Sequence, residues 1–362
     1  MIGNRELFKM GAAVLASAVS AVSVVTACAS DSSTAPRTAA DSSAAAIAYL
    51  DSAIDIIETH AFYRARVDWT TVRANAHQIA AGAIRPSDTY SAIVFALAAL
   101  GDHHSKFVPP VFTPTAENLG TVGAAGAIEM HPADSLDGEI VGGRFGYVRV
   151  PTFSVPVGAP QTALALALAD SLQALVRAVD NRSPCGWIVD LRHNLGGNMW
   201  PMLVGIGPIV GGAPLGSFLD AYGNSGQWFY ANGSAGYSGV TLQQVDRPPY
   251  TLRSPNPPVA VLTDSLTASS GEAITVAFRG RPSTRSFGAA TYGVPSANTG
   301  FTMPDKAVII LTTALDVDRL GRQYGTRIPP DQAVPTSAKP ATDDSVVAAA
   351  MTWLSTQDRC AT

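Results

Sequence analysis

The stretch that decides the fold is IVDLRHNLGG, residues 188–197. It begins with a short apolar run, Ile188 to Leu191, of the kind that forms a strand buried in a sheet. The run leads into a polar turn that ends in Gly196-Gly197. Two glycines let backbone N–H groups approach a ligand without obstruction by side chains. The stretch therefore predicts a buried strand followed by either a plain turn or a binding edge made of backbone donors.

Further strands and helices are expected on both sides of this stretch. Residues 145–150 (FGYVRV) and 259–263 (VAVLT) have the apolar pattern of strands, and residues 159–179 that of an amphipathic helix. This alternation predicts an α/β core with a largely parallel sheet. Apolar residues recur at helical spacing from Ala44 to Leu100, which predicts an N-terminal helical domain.

The N-terminus resembles an export signal. Arg5 and Lys9 precede an apolar run of small residues, Gly11 to Ala27, which is too short for a comfortable membrane span. Residues 25–28 (VTAC) resemble a bacterial lipobox, in which the cysteine, here Cys28, is lipidated. The alternative is an ordinary signal peptide with an incidental cysteine. We expect an exported protein that is anchored to a membrane through its lipid.

The expected organisation has six parts. They are a signal peptide at 1–27, a flexible tether at 28–43, the helical domain at 44–108, a linker with short strands at 109–144, the α/β core at 145–335, and a C-terminal tail with a helix at 336–362. Of the 362 residues, 47% are hydrophobic and 14% charged, and the formal net charge is −4. This balance predicts a globular protein and argues against binding to nucleic acid.

Two cysteines remain after Cys28. Export would permit Cys185 and Cys360 to form a disulfide, and two buried free thiols are the alternative. Neither cysteine has the spacing of a metal site, and we expect no metal and no organic cofactor.

Residues 267–272 (TASSGE) are predicted to place a hydroxyl at the start of a helix. The free N–H groups and positive dipole end of that helix would face a reacting centre there, which suits a nucleophile for acyl transfer. The alternative is that Ser269 is a plain helix N-cap.

Four segments together resemble the superfamily of C-terminal processing peptidases, the tricorn protease core and the interphotoreceptor retinoid-binding protein modules. They are 101–107 (GDHHSKF), 190–197 (DLRHNLGG), 267–272 (TASSGE) and 325–331 (GTRIPPD). The resemblance covers roughly residues 44–334 and implies a ClpP/crotonase-like core. It also implies that Ser269 is the nucleophile. Ser270 and either Gly196 or Gly197 would then donate N–H groups to the oxyanion.

The resemblance also bears on the general base. One large branch of the superfamily carries a lysine in a segment like F-G-K-G, and Val294 stands at that place here. Valine cannot accept a proton. The tricorn-like branch instead has a histidine in a setting like D-x-H-S/T, and His104 matches it, with the adjacent His103 as a rival. The resemblance therefore implies a Ser269–His104 pair.

The group that orients the base is left open. Tricorn-like enzymes use a serine just before the histidine and a glutamate shortly before the G-x-P-D segment. Here His103 precedes His104, and residues 321–325 contain no carboxylate. The remaining candidates are Asp102, Asp316, Asp318 and Asp331, and none is fixed by spacing.

The expected function is hydrolysis of peptides or unfolded proteins by an exported serine peptidase. Phe107 and Phe145 are too close in sequence for the PDZ domain that many members of the superfamily carry between these regions. We therefore expect the cleft or neighbouring loops, such as residues 200–237, to select the substrate. The alternatives are a binding module for apolar ligands or peptides and a non-peptidic ester hydrolase. The sequence does not indicate an oligomeric state.

Overall fold

The computed structural model describes residues 39–110, 136–154, 161–335 and 344–361. The predicted signal peptide, Cys28 and the tether up to residue 38 lie outside these ranges, whereas residues 39–43 already belong to the first helix. The described α-helices are α1 (Ala39–His60), α2 (Trp69–Ile79), α3 (Tyr90–Ala98), α4 (Gln161–Asp180), α5 (Met199–Val210), α6 (Ser270–Phe278) and α7 (Ser345–Ser355).

The strands form two sheets. In chain order they are β1 (Lys106–Val108), β2 (Asp137–Val141), β3 (Phe145–Arg149), β4 (Gly186–Asp190), β5 (Gly216–Asp220), β6 (Ser225–Ala231), β7 (Ser234–Tyr237), β8 (Val240–Gln244), β9 (Val259–Thr263), β10 (Thr284–Gly288), β11 (Ser296–Thr302), β12 (Val308–Asp318), β13 (Gln323–Tyr324) and β14 (Gln332–Ala333).

The six-stranded sheet has the order β14-β10-β9-β4-β3-β2, and only β2 runs antiparallel to its neighbour. Every residue of β4 and β9 is buried, as expected for strands covered on both faces. Trp187, Val189 and Val261 face α4, α5 and α6 on one side. Ile188 and Leu262 face α7 on the other. The apolar runs therefore predicted this sheet correctly.

The second sheet corrects the prediction of a largely parallel core. It has eight strands, β1, β5–β8 and β11–β13, and all of its pairs are antiparallel. Residues 200–237 are not loops but comprise most of α5 and the strands β5, β6 and β7. Glycine and polar residues interrupt these strands because one face is partly exposed, so their sequence reads as turns. The mixed α/β class is confirmed, and the ClpP/crotonase-like core stays a prediction.

The helical region packs directly onto the second sheet. Leu50, Ile54 and Ile93 share one apolar cluster with Ile309 and Leu311 of β12. The loop of residues 101–105 is followed directly by β1, and β1 pairs with the first residues of β12. Since β11 pairs with β12 as well, the helical region and β11 are brought together at this strand.

Helix α4 is long and apolar enough to cross a membrane by length and composition alone. However, Ala169, Leu172 and Val176 on this helix are fully buried in the core beside the six-stranded sheet. The helix therefore packs as a core element of the folded domain.

A disulfide joins Cys185, just before β4, to Cys360 at the end of the chain, and it closes a separation of 175 residues. We expect the double variant Cys185→Ala/Cys360→Ala to lose about 2–5 kcal/mol of unfolding free energy, because the cross-link restricts the unfolded chain. Denaturant titration measures the loss. Reduction of the wild-type protein should lower its stability similarly and leave the variant unchanged. Equal stability of both proteins would contradict a stabilising role.

Candidate active site

A cleft of about 1010 Å³ lies where the eight-stranded sheet meets the amino ends of α5 and α6. Its lining includes Ser269 and Ser270 at the start of α6, Gly197 in the double-glycine turn, and Ser296 on β11. Both helices point the positive ends of their dipoles towards this space. The cleft thus combines a hydroxyl, backbone donors and a favourable field for negative charge.

Ser269 has an unusual backbone conformation, with φ 51° and ψ −115°, at the residue that precedes α6. Such conformations are rare for residues with a side chain and cost free energy unless the surroundings hold them. The holding group is Glu272, whose carboxylate accepts the Ser269 N–H at 2.9 Å. A strained serine at a strand-to-helix turn is a recurring arrangement for a nucleophile.

Glu272 does more than stabilise the first turn of its helix. It is fully buried, and its carboxylate also accepts hydrogen bonds from the Thr291 hydroxyl and from the N–H groups of Gly293 and Val294, the latter two at 2.9 Å each. Burial raises the pKa of Glu272, although these hydrogen bonds act in the opposite direction. The carboxylate therefore ties Ser269 to the segment from Thr291 to Val294.

The two glycines have different roles in the structure. The N–H of Gly196 donates to the Asn194 side chain at 2.9 Å and is therefore occupied. In the described parts of the chain, the N–H groups of Gly197 and Ser270 have no hydrogen-bond acceptor. The Ser270 hydroxyl donates to the Gly197 carbonyl at 2.6 Å, which holds these two residues together. Of the pair, Gly197 is thus the better placed oxyanion donor.

Neither glycine tolerates a side chain. A Cβ on Gly197 would lie 1.9 Å from the Phe153 carbonyl oxygen, and one on Gly196 would lie 2.8 Å from the Ser269 Cβ. Both residues also have positive φ, 98° at Gly196 and 110° at Gly197. Close approach and backbone conformation therefore both require glycine here.

The polar residues of the same turn build the scaffold. The Asn194 amide donates to the carbonyls of Val150 and Pro151 and so fixes the turn to the end of β3. Asp190 is fully buried and accepts hydrogen bonds from Arg192, which also pairs with Asp344 before α7. These charges are satisfied within the fold, so they support the turn and do not face the cleft.

His104 is held at the edge of the site by two contacts. Its Nδ1 lies 2.8 Å from the Ser296 hydroxyl, and its backbone N–H donates to Asp102 at 3.1 Å. Burial lowers the pKa of His104 below its usual 6.5 and outweighs the opposing charge of Asp102. The imidazole is therefore neutral at neutral pH, as a proton acceptor must be.

The rival histidine, His103, lies at the surface, and three of the candidate orienting aspartates make other contacts. His103 is exposed and has a left-handed backbone, φ 55°. Asp102 bonds the backbone N–H groups of His104 and Ser105 and the Ser105 hydroxyl. Asp318 holds its own turn and the Tyr324 hydroxyl, whereas Asp331 pairs with Arg279 and Ser286. In the described ranges, none of these three aspartates has a hydrogen bond to the His104 ring.

Two features of the site were not found from the sequence. Ser296 is separated from His104 by 192 residues, so no local pattern could link them. Asp316 was one of four candidate orienting aspartates. Its complete burial beside the cleft could not be found from the sequence because it results from the fold. The described residues show no hydrogen bond between Ser269 and His104 and no group of three His, Cys, Asp or Glu side chains suited to a metal ion.

The structure resembles two solved structures over most of its length. A lipoprotein from Streptococcus agalactiae has a TM-score of 0.64 at 23% identity, and the match covers 85% of this chain and 96% of that chain. The photosystem II D1 C-terminal processing protease has a TM-score of 0.52 at 16% identity, covering 80% and 93%. At identities of 23% and 16%, the comparison supports the fold alone.

The sequence comparisons define the family. The nisin-resistance protein of Lactococcus lactis subsp. lactis is 32% identical over 139 residues, which are 38% of this chain and 42% of that protein. This chain therefore aligns with less than half of the relative's length. The sequence profile described as Peptidase family S41 matches residues 144–334, more than half of the 362 residues. The resemblance predicted from the four segments is thus confirmed, and the chain belongs to peptidase family S41.

Proposed function

We propose that this member of the peptidase family is a serine peptidase with Ser269 as nucleophile and His104 as general base. The observation that carries the proposal is the strained Ser269 at the amino end of α6, in the same cleft as the double-glycine turn. Ser269 Oγ attacks the carbonyl carbon of the scissile peptide bond. The resulting oxyanion receives hydrogen bonds from the N–H groups of Gly197 and Ser270.

Ser296 is the group that positions the base in this proposal. When Nδ1 of His104 carries its proton and donates it to the Ser296 hydroxyl, Nε2 is left unprotonated. Nε2 then accepts the Ser269 proton and returns it to the leaving amine. The hydrogen bond between Ser269 and His104 forms when the substrate is bound, since catalytic contacts are often longer in the free enzyme.

The proposed substrate is an extended or unfolded peptide outside the cytoplasm. Support for a peptide comes from the size of the cleft, about 1010 Å³, and from its wall of aromatic side chains, Trp200, Phe218 and Tyr237. Support for export and a lipid anchor comes from the lipobox-like VTAC and from the similarity to a streptococcal lipoprotein. Incubation with a denatured protein, followed by mass spectrometry of the new termini, tests the proposal. Cleavage by wild type and not by Ser269→Ala supports it, and the absence of cleavage by either opposes it.

The pH dependence follows from the lowered pKa of His104. The neutral imidazole is the active form, so kcat/KM should fall as the pH drops through a pKa below about 6.5 and should be level near about pH 7.5. Initial rates on one peptide across the pH range give this profile. His103→Ala should keep the same acidic limb. A limb centred above about pH 7 would contradict a buried histidine as the base.

A further inference from the structure

Asp316 on β12 is a buried acid with no hydrogen-bond partner for its side chain among the described residues. The residue is 0% exposed, and within the described ranges neither carboxyl oxygen has a hydrogen bond. A buried carboxyl group in this state costs free energy, and an unpaired polar group in a native protein calls for an explanation. Burial and the charge of Glu272 both raise its pKa well above the usual value. A contribution to the stability of the fold therefore does not explain why an aspartate occupies position 316.

The location of Asp316 connects it to the proposed active site. Asp316 lines the same cleft as Ser269 and Ser296. In the register of β12 with β5 it lies opposite Phe218, so the two side chains project from the same face of the sheet. Phe218 also lines the cleft. An acid and an aromatic ring therefore stand side by side on the cleft wall.

The surroundings of this pair form an aromatic slot, by which we mean Phe218, Trp200 and Tyr237. The Phe218 ring centre lies 6.3 Å from that of Trp200 and 5.7 Å from that of Tyr237, in edge-to-face arrangements. Ala314, which precedes Asp316 on the same face of β12, and Ala273 on α6 are small residues that also line the cleft. The slot thus offers apolar walls beside a buried carboxyl group.

The described part of the chain provides no counter-ion for Asp316 in the cleft. Among the described residues that line the cleft there is no lysine or arginine, and His60 is stacked on Phe301. The other acid of the lining, Asp220, is engaged by its own turn through the backbone N–H groups of Tyr222 and Asn224. The cleft is therefore short of positive charge, and Asp316 is its unsatisfied acid.

We propose that Asp316 and the aromatic slot bind a lysine or arginine side chain of the peptide substrate. The methylene stem would pack on the aromatic rings, and the ammonium or guanidinium group would donate hydrogen bonds to the Asp316 carboxylate. Burial raises the pKa of Asp316 and favours the protonated acid when no cation is bound, so the acid would release its proton to solvent when the cation binds. Such contact would supply the partner that Asp316 lacks among the described residues. This subsite rests on the proposed function in one respect, namely that its natural ligand is a side chain of the peptide substrate.

The first test compares peptides that differ at one position, with lysine, arginine, norleucine or glutamate placed in turn on each side of the scissile bond. Wild type should prefer lysine or arginine over norleucine by about 10-fold or more in kcat/KM at one position. Asp316→Asn should lose this preference and still cleave the norleucine peptide. Asp220→Asn, the control acid of the same cleft, should keep it. No preference at any position, or a preference that Asp316→Asn retains, would overturn the proposal.

The second test is independent of turnover. Agmatine, a small guanidinium compound, is titrated by calorimetry into wild type, Ser269→Ala and Asp316→Asn, each checked for folding by its Tm. We expect equal binding to the first two proteins and binding at least about 10-fold weaker to Asp316→Asn. Equal binding to all three, or none to wild type, would overturn the subsite. Agmatine binding that depends on Asp316 in a protein that cleaves no peptide would instead refute the proposed peptidase mechanism alone.

Discussion

Replacement of Ser269 by alanine is expected to lower kcat on a cleaved peptide by about 10⁴-fold or more, with little change in stability. The variant removes the attacking oxygen, and the remaining oxyanion donors can stabilise only an uncatalysed attack by water. Single-turnover and steady-state rates with a fluorogenic peptide measure the loss. Circular dichroism and Tm show whether the fold is intact.

Ser265→Ala is the matched control for this prediction, because Ser265 is exposed and lies in the loop just before α6. It should keep the wild-type rate within about twofold, as expected for a surface change remote from a reacting atom. Ser270→Ala removes the hydroxyl that donates to the Gly197 carbonyl but leaves the Ser269 oxygen in place. A fully active Ser269→Ala variant would rule out this serine as the nucleophile.

Replacement of His104 by alanine is the second prediction with a large effect. We expect kcat to fall by about 10³-fold or more, since removal of the base of a serine dyad costs nearly as much as removal of the serine. KM should change much less, because the ring acts on the serine proton and not on the substrate side chains. The decisive comparison is the adjacent variant His103→Ala.

His103→Ala should retain the wild-type rate within a few-fold, since the His103 ring is exposed and has no role in the proposed site. The opposite pattern, a severe loss with His103→Ala and a mild one with His104→Ala, would exchange the two roles. Equal mild losses would indicate a base from another part of the chain. The contact between His104 Nδ1 and Ser296 Oγ makes us expect the first result.

The local parts of the fold and site could be predicted from the sequence. The strand at 259–263 has the bounds expected from its apolar run, because central strands of a parallel sheet are buried on both faces. The predicted helix start after residues 267–269 agrees with α6, which begins at Ser270, whereas the role of Ser269 as nucleophile stays a prediction implied by the resemblance. Patterns of this kind are contained within a few residues of chain.

The remaining parts depend on contacts between distant segments. The antiparallel strands β5 to β7 carry glycine and polar residues, so their alternation was hidden. The choice between Gly196 and Gly197 became visible only through the Asn194 side chain, which occupies one N–H group. Likewise, the isolation of Asp316 results from what the fold places around it. Sequence spacing contains none of these relations.

The arrangement around β12 explains how the helical region and the core could both contribute to the proposed site. This strand pairs with β1, which directly follows the His104 loop, and with β11, which begins at Ser296. Glu272 fastens Ser269 to the residues that precede β11. The proposed base, its proposed positioning hydroxyl and the proposed nucleophile are therefore all held by neighbouring strands, which is the rigidity that catalysis by a dyad would require.

Labelling with a fluorophosphonate probe tests the central claim most directly, because the probe reacts with an activated serine irrespective of peptide preference. The labelled protein is digested, and the modified peptide is located by mass spectrometry. The account predicts one adduct on Ser269, which is absent in Ser269→Ala and strongly reduced in His104→Ala, while His103→Ala labels like wild type. An unlabelled wild-type protein, or an adduct on another serine, would contradict it.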